Sequence, residues 1–177
     1  KLFKMCKTGI VNKEDLHGAK ISNMFKENDI TTYGIDNFAN VTAKDITVTN
    51  LYVDFKEKLT DRNERIKVGI PGRFSVYYSL AAICVAKKLG ISPEVIKEAL
   101  LEVRVPGRSE LVDNKMELPI MIDYAHSPES LQNILQAVKS YTRGYVISVL
   151  GWGGDRDSGK RPIMGEISGR FYNNNIR

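Results

Sequence analysis

A loop rich in glycine and in basic residues, from Gly151 to Arg161, offers the most evident chemistry in the sequence. It reads GWGGDRDSGKR, and its glycines would let backbone N–H groups approach an anion that Arg156 and Lys160 could neutralise. Asp155 and Asp157 flank Arg156, and they could orient its guanidinium or simply neutralise it at the surface. The loop is not a Walker A motif, because its Gly-Lys pair precedes Arg rather than Ser or Thr. A glycine-rich turn after a strand is also often only a tight connection, so an anion site and a structural turn both stay open.

Three further side chains could contact a nucleotide. Asp123 and His126 follow the apolar run 118–122, and ligands bind at the carboxyl ends of strands in open α/β sheets. Asp123 could accept hydrogen bonds from ribose hydroxyls or cap a turn, and His126 could bind phosphate or be structural. Arg108 follows a Pro-Gly pair, where it could be solvated or make a bidentate phosphate contact.

A strand, a helix and a second strand are predicted to position these groups. Run 118–122 predicts a buried strand, and Ser127-Pro128-Glu129 is typical of a helix start. Run 145–150 predicts a second strand, so the pattern indicates a βαβ unit with a parallel pair and two polar loops on one edge of the sheet. The helix between the strands carries one apolar stripe: Leu131, Ile134, Leu135, Val138 and Tyr141. A further helix is predicted from Pro162, with an inner side of Ile163, Met164 and Ile167.

The first hundred residues predict strands followed by two helices. Strands are expected around residues 10–11 and 31–35, as one partly exposed strand over 46–55, and over 66–70 after a turn at 61–63. Helices are expected over 74–89 and from the Ser92 cap, the second with an inner face of Val95, Ile96, Ala99, Leu100 and Val103. The Pro106-Gly107 pair and the fresh pattern behind it predict a domain boundary there.

Composition excludes several classes of protein. Apolar residues make up 42% of the 177 residues, which is enough for a core, and the two cysteines have no metal-ligand spacing. The net charge of +5 comes from scattered residues without interleaved aromatic side chains, so no nucleic-acid partner is expected. Nothing resembles a signal peptide or a membrane span, and a cytoplasmic protein without membrane insertion is predicted. No catalytic triad or metal-binding cluster is evident in the sequence.

Several spaced motifs together resemble the Mur ligase family. They are Val105-Pro106-Gly107-Arg108-Ser109-Glu110, Asp123-Tyr124-Ala125-His126-Ser127-Pro128, Gly153-Gly154-Asp155-Arg156-Asp157, Lys160-Arg161-Pro162 and Met164-Gly165. The resemblance implies an α/β fold with residues 1–107 as the C-terminal half of a central ATP-binding domain. Residues 108–177 would be the N-terminal half of a Rossmann-like domain that binds the incoming amino acid.

The resemblance also implies a reaction and its participants. The motifs are most similar to the family branch that adds a diamino acid, meso-diaminopimelate or L-lysine, to UDP-N-acetylmuramoyl-L-alanyl-D-glutamate in peptidoglycan synthesis. ATP and Mg²⁺ would be required, and the substrate carboxylate would be activated as an acyl phosphate. Both candidate substrates, the UDP-N-acetylmuramoyl-dipeptide and the diamino acid, are therefore expected partners.

The family's motifs imply roles for individual residues. Arg108 would reach the nucleotide phosphates and Asp123 would hold the ribose, with His126 beside the nucleotide. Arg156 would bind a carboxylate of the incoming amino acid, with Asp155 and Lys160 as supporting charges. No residue of this chain is implied to be catalytic in itself or to ligate a metal.

The chain departs from the family pattern in the helix after residue 72. The family usually has Asn at the positions of Ser75 and Tyr78, and the second Asn contacts the base. A Tyr can stack on a base, but it cannot copy the paired donor and acceptor of an amide.

The phosphate-binding and carbamylated-lysine segments of the family would precede Lys1, and the segment that selects the amino acid would follow Arg177. A fragment that is inactive by itself is therefore expected.

Two other interpretations stay open at this point. One is another ligase of the same superfamily, similar to folylpolyglutamate synthetase or cyanophycin synthetase, which share part of the Asp-Tyr-Ala-His-Ser-Pro motif. The other is a noncatalytic nucleotide-binding module, which the substitutions at Ser75 and Tyr78 would favour.

Overall fold

The computed structural model describes residues 2–25, 29–36, 38–57, 65–115, 118–151 and 157–171. Helices and strands are mixed along the chain, which confirms the predicted α/β class. The elements are a 3-10 helix (Leu2–Lys4), β1 (Thr8–Asn12), α1 (Leu16–Met24), β2 (Asp29–Gly34), β3 (Val41–Thr42), β4 (Lys44–Val48), β5 (Val53–Lys56), β6 (Arg65–Val68), α2 (Arg73–Lys88), α3 (Pro93–Glu102), β7 (Glu110–Val112), β8 (Ile120–Ile122), α4 (Pro128–Tyr141) and α5 (Lys160–Phe171). We call residues 2–107 the N-terminal unit and residues 108–171 the C-terminal unit.

A parallel sheet of three strands opens the N-terminal unit, in the order β1-β2-β3. The crossover from β1 to β2 runs through α1, so a βαβ unit forms here. Asp15 caps α1 by accepting hydrogen bonds from the backbone N–H groups of His17 at 2.9 Å and Gly18 at 2.8 Å. The two strands were predicted from the sequence, whereas α1 was not, because Gly18 is its one buried residue and an apolar stripe is missing.

An antiparallel sheet follows, with β5 between β4 and β6. The prediction of one strand over 46–55 is wrong, since the segment divides into β4 and β5 at a tight turn. In that turn the Thr49 hydroxyl accepts a hydrogen bond from Tyr52 N at 3.0 Å and donates one to Tyr52 O at 2.8 Å. The predicted hairpin of β5 with β6 is confirmed, and its expected turn at 61–63 lies outside the described residues.

Helices α2 and α3 cover the antiparallel sheet and complete the core of the N-terminal unit. Gly90 ends α2 with φ of 71°, as its position in the sequence predicts. The inner face of α3 is narrower than predicted: Ile96 and Leu100 are buried, but Val95 and Ala99 are exposed. Only this narrow stripe of α3 meets the sheet.

The C-terminal unit places two helices against two short strands. β7 pairs with β8 in antiparallel orientation, while residues 145–150, all described, form no strand. The predicted parallel pair is therefore wrong. Residues 146, 148 and 150 are partly covered and residues 145, 147 and 149 are exposed, so the segment keeps the alternation of a strand although it pairs with no strand among the described residues.

The stripe of α4 meets α5 as its spacing predicts. Leu131, Ile134 and Leu135 are buried against Met164 and Ile167 of α5, which starts at Lys160 rather than at Pro162. Ile163 was predicted to face inward, but it is half exposed because α5 presents a single stripe to α4. Within the described part of the chain, no helix is both long and apolar enough to cross a membrane.

The two units meet at the start of α2. Phe74 packs against the apolar cluster that α4 and α5 form. Gly72 has φ of 109°, and a side chain there would come within 3.1 Å of the Ala137 side chain. A glycine therefore lets the first turn of α2 approach α4 closely.

Candidate functional site: a cleft between the two units

A cleft of about 570 Å³ lies where the two units meet. This volume is in the range of small-molecule sites. Both units contribute to its lining, which consists of Ile70, Phe74, Tyr78, Val105, Arg108, Ser109, Asp123, Ser127, Glu129, Ser130, Asn133 and Ile134. Apolar and aromatic side chains come mainly from the N-terminal unit, and polar side chains come mainly from the C-terminal unit.

Asp123 stands at the polar side of the cleft, directly after β8. Its Oδ2 accepts a hydrogen bond from Ser109 N at 2.8 Å, and the Ser109 hydroxyl lies 3.5 Å from the same oxygen. Ser109 is buried and has φ of 46°, a conformation that costs free energy in a residue other than Gly. The contact orients the carboxylate, and no described residue donates a hydrogen bond to Oδ1, which could accept one from a ligand.

Arg108 contacts the ring of Tyr124 and forms no ion pair with a carboxylate of the described residues. Its guanidinium carbon lies 4.7 Å from the ring centroid, which is within the range of a cation–π contact. The His126 ring lies 4.9 Å from the Tyr124 ring, and Nδ1 of His126 lies 3.0 Å from Tyr124 O. Since a carbonyl only accepts, Nδ1 carries the proton in this hydrogen bond. Arg108 lines the cleft, whereas His126 is exposed and is not part of the lining.

Tyr78 forms the aromatic side of the cleft together with Phe74. The Tyr78 side chain is 70% exposed, and its ring centroid lies 6.0 Å from that of Phe74. Ser75 is buried instead, and its hydroxyl donates to Pro71 O at 3.3 Å inside the helix. Of the two departures from the family pattern, only Tyr78 therefore reaches the cleft.

The first turn of α4 contributes polar groups to the cleft. Ser127 and Ser130 cap each other: Ser130 N donates to the Ser127 hydroxyl at 3.2 Å, and Ser127 N donates to the Ser130 hydroxyl at 3.0 Å. The positive end of the helix dipole thus lies on the same side of the cleft as Arg108. Arg108 and the helix dipole favour an anionic ligand, whereas Glu129 in the same turn adds a negative charge to the lining.

The predicted glycine-rich loop is only partly described. Arg156 and Asp155 lie outside the described residues. Lys160 is partly buried at the start of α5 and is not in the lining of the cleft. The structure therefore brings Arg108, Asp123 and Tyr78 together and keeps Lys160 apart from them.

A group of residues that the sequence did not indicate fixes the start of α2. The Glu14 carboxylate accepts hydrogen bonds from Ile35 N at 2.9 Å, from Asp36 N and from the Tyr77 hydroxyl at 2.6 Å. Arg73 adds an ion pair with Asp36 at 2.8 Å. Burial and the Glu14 carboxylate raise the pKa of Tyr77, so the phenol stays a donor. The one available signal was that Glu14 follows β1 within a polar cluster.

Metal binding has no visible support among the residues that the structure describes. There, no three His, Cys, Asp or Glu side chains are grouped as a metal ion would require. The described part of the site thus offers a guanidinium, the carboxylates of Asp123 and Glu129, and an aromatic surface; the guanidinium and the aromatic surface suit an anionic aromatic ligand.

Comparison with protein families assigns the chain. Residues 1–86 match the Mur ligase middle domain, and residues 107–176 match the Mur ligase glutamate ligase domain. The chain belongs to the Mur ligase family. It is 46% identical over 175 residues to a UDP-N-acetylmuramoyl-L-alanyl-D-glutamate--2,6-diaminopimelate ligase from Caldanaerobacter subterraneus subsp. tengcongensis, covering 97% of this chain and 36% of the relative. The chain thus spans little more than a third of the length of the curated relatives it matches.

Solved structures of Mur ligases have the same fold. One is a UDP-N-acetylmuramoyl-L-alanyl-D-glutamate--2,6-diaminopimelate ligase, with a TM-score of 0.69 and 25% identity over 97% of this chain and 37% of that chain. Another is the MurF ligase from Thermotoga maritima in complex with ADP, with a TM-score of 0.73 over 92% of this chain and 37% of that chain. At 19% identity, the second likeness shows the fold alone.

Proposed function

We propose that this chain is part of an ATP-dependent ligase that joins 2,6-diaminopimelate to UDP-N-acetylmuramoyl-L-alanyl-D-glutamate during peptidoglycan synthesis. The names of its relatives at 38–46% identity support the reaction and the diamino acid. The observation that carries the proposal is the cleft, where Arg108 and Asp123 face Tyr78 across the junction of the two units.

The cleft suits a nucleotide in one orientation. The base would stack on Tyr78, and the ribose hydroxyls would donate to Oδ1 of Asp123. The phosphates would then extend toward the Arg108 guanidinium and the positive end of α4. This orientation agrees with the division of the cleft into an aromatic side and a polar side.

The reaction needs charge neutralisation more than it needs a covalent contribution from the protein. The substrate carboxylate oxygen attacks the γ-phosphorus and ADP leaves, which gives an acyl phosphate. The amine nitrogen of the diamino acid then attacks the acyl carbon, phosphate leaves, and the nitrogen loses a proton. In the first step Arg108 would stabilise negative charge on the phosphates. Mg²⁺ would neutralise phosphate charge when bound, and in nucleotide sites it is commonly held largely by phosphates and water.

The same proposal assigns the domains and the glycine-rich loop. Residues 1–107 would belong to the central ATP-binding domain, and residues 108–177 to the Rossmann-like domain for the amino acid. Arg156 would bind a carboxylate of the incoming diamino acid, with Asp155 orienting its guanidinium and Lys160 adding positive charge. His126 would support the nucleotide site through Tyr124.

Phosphate release by the full-length gene product tests the reaction. ATP, Mg²⁺ and UDP-N-acetylmuramoyl-L-alanyl-D-glutamate would be supplied, with diaminopimelate or lysine in separate assays. We expect release that depends on diaminopimelate, and a loss of kcat/KM for ATP of roughly 10- to 100-fold in Arg108→Ala, the value of a charged hydrogen bond. Arg170→Ala is the matched control, because Arg170 is exposed on α5 and pairs only with Glu166 among the ion pairs described. Phosphate release that depends on lysine would show that lysine, and not diaminopimelate, is the amine substrate. No phosphate release with either amino acid would refute the ligase.

A further inference from the structure

We propose that Tyr124 is a positioning residue that holds the Arg108 guanidinium at the polar side of the cleft. This inference rests on the proposed function, in which Arg108 contacts the nucleotide phosphates. The guanidinium carbon lies 4.7 Å from the centre of the Tyr124 ring, and Arg108 lines the cleft. A long, exposed side chain has many rotamers, so a ring that restricts it lowers the entropy lost when a ligand binds.

A ring is better suited to this task than a carboxylate. An ion pair with Asp or Glu would occupy guanidinium N–H donors and neutralise the charge. A cation–π contact attracts the cation while the donors at the guanidinium edge remain free for phosphate oxygens. Tyr124 therefore orients Arg108 without competing with an anionic ligand.

The backbone beside Arg108 is fixed to the same segment. Ser109 N donates to Asp123 Oδ2 at 2.8 Å, so the consecutive residues Arg108 and Ser109 contact two consecutive residues after β8. The left-handed backbone of Ser109, with φ of 46°, accompanies this contact. Contacts within the C-terminal unit therefore fix the position of Arg108 relative to Asp123.

His126 supports the Tyr124 ring from within the same loop. The two ring centroids are 4.9 Å apart, and His126 Nδ1 donates to Tyr124 O at 3.0 Å. Tyr124 itself is 62% exposed, so its ring is not part of an apolar core. Its replacement should consequently leave the fold intact and change only how Arg108 is held.

The test measures ATP affinity and kcat/KM for ATP in the full-length protein with Tyr124→Leu and Tyr124→Phe. Loss of the ring in Tyr124→Leu should reduce both by roughly two- to fivefold, as expected for an exposed cation–π contact. Tyr124→Phe keeps the ring and should match the wild type. Tyr52→Leu is the matched control, since it removes another ring from a cation, Lys67 at 5.1 Å, outside the lining of the cleft.

A double-mutant cycle separates positioning from a direct or structural role. In an Arg108→Ala background, Tyr124→Leu should cause no further loss, because there is no guanidinium left to hold. An equal loss of ATP affinity in that background would overturn the proposal. A Tyr124→Leu protein that binds ATP as well as the wild type would also overturn it, and so would a Tyr124→Phe protein that binds ATP as weakly as Tyr124→Leu. A wild-type protein that fails to bind ATP would instead refute the proposed function, and this inference with it.

Discussion

The N-terminal unit and the C-terminal unit contain similar short apolar runs, but the two units bury these runs to different depths. In β5, Val53 and Phe55 are completely buried. In run 145–150, Ile147 is 67% exposed and Val149 is 93% exposed. Strand β5 has a hydrogen-bonded neighbour on each side and α2 above it, whereas run 145–150 has α5 on one face and no paired strand among the described residues.

The difference shows that an apolar run forms a buried strand only when other strands pair with it and a helix covers it. Val53 and Phe55 share one face of β5, and they are fully buried because α2 covers that face and a paired strand lies on each side. In the C-terminal unit α4 and α5 cover only one face of β8 and of run 145–150. Met121 and Leu150 are therefore partly buried, and alternate residues are exposed to solvent. Six substitutions in the 177-residue chain, used in four experiments, test this difference between the two units.

The largest expected effect is that of Phe55→Ala in the N-terminal core. Removal of a fully buried aromatic side chain leaves a cavity and should lower the free energy of unfolding by about 3–5 kcal/mol. Val149→Ala, the control from the exposed run, should change it by less than about 0.5 kcal/mol. Urea unfolding measures both, and similar losses would contradict the comparison.

Met164→Ala tests the core of the C-terminal unit. Met164 is 1% exposed, and its truncation should cost about 2 kcal/mol, the lower end of the range, because the surrounding layer is thin. Hydrogen exchange should accelerate in α4 and α5 while α2 keeps its protection. Equal acceleration in α2 would show that the two units unfold as one.

Tyr77→Phe tests the contact that fixes α2. Loss of the hydrogen bond to Glu14 should cost ~1 kcal/mol near neutral pH, since both groups are only partly buried. Burial and Glu14 raise the pKa of Tyr77 above its ordinary value of 10.0, so the neutral phenol is favoured in the folded state. The stabilisation is thus complete below about pH 10, where the unfolded phenol is also neutral, and is lost as the pH rises toward the folded pKa.

Unfolding measured from neutral pH to about pH 11 should therefore show a smaller alkaline loss in Tyr77→Phe than in the wild type. Some loss should remain, because burial also raises the pKa of Cys84 to about 11. An unchanged alkaline slope would mean that the folded state does not keep Tyr77 neutral.

The smallest effects concern two caps with the same Ser-Pro-Glu sequence. Ser127 takes part in a reciprocal cap with Ser130, whereas Ser92 accepts one long hydrogen bond from Val95 N at 3.5 Å. Ser127→Ala should cost ~1 kcal/mol and Ser92→Ala about half of that. Thermal unfolding of the two variants measures the difference, and a larger cost at Ser92 would contradict the geometry.

Local features were predictable from the sequence because their interactions are short in range. The caps at Ser92 and Ser127, the end of α2 at Gly90 and the stripe of α4 each depend on residues within a few positions of one another. The prediction of one strand over 46–55 was wrong because one alternating pattern fits a single long strand as well as two strands, β4 and β5, joined by a tight turn.

The sequence by itself determined the α/β class, the family motifs, and the choice of Arg108, Asp123 and Tyr78 as candidate nucleotide contacts. The tertiary structure alone decided that Glu14 reaches Tyr77 across 63 positions and that Arg108 rests on Tyr124. Such contacts depend on how separate elements pack, and the spacing of residues along the chain contains no record of that. For the same reason the apolar run 145–150, which predicts a buried strand, is exposed at alternate residues. Burial depends on the elements that cover a segment as well as on the segment itself.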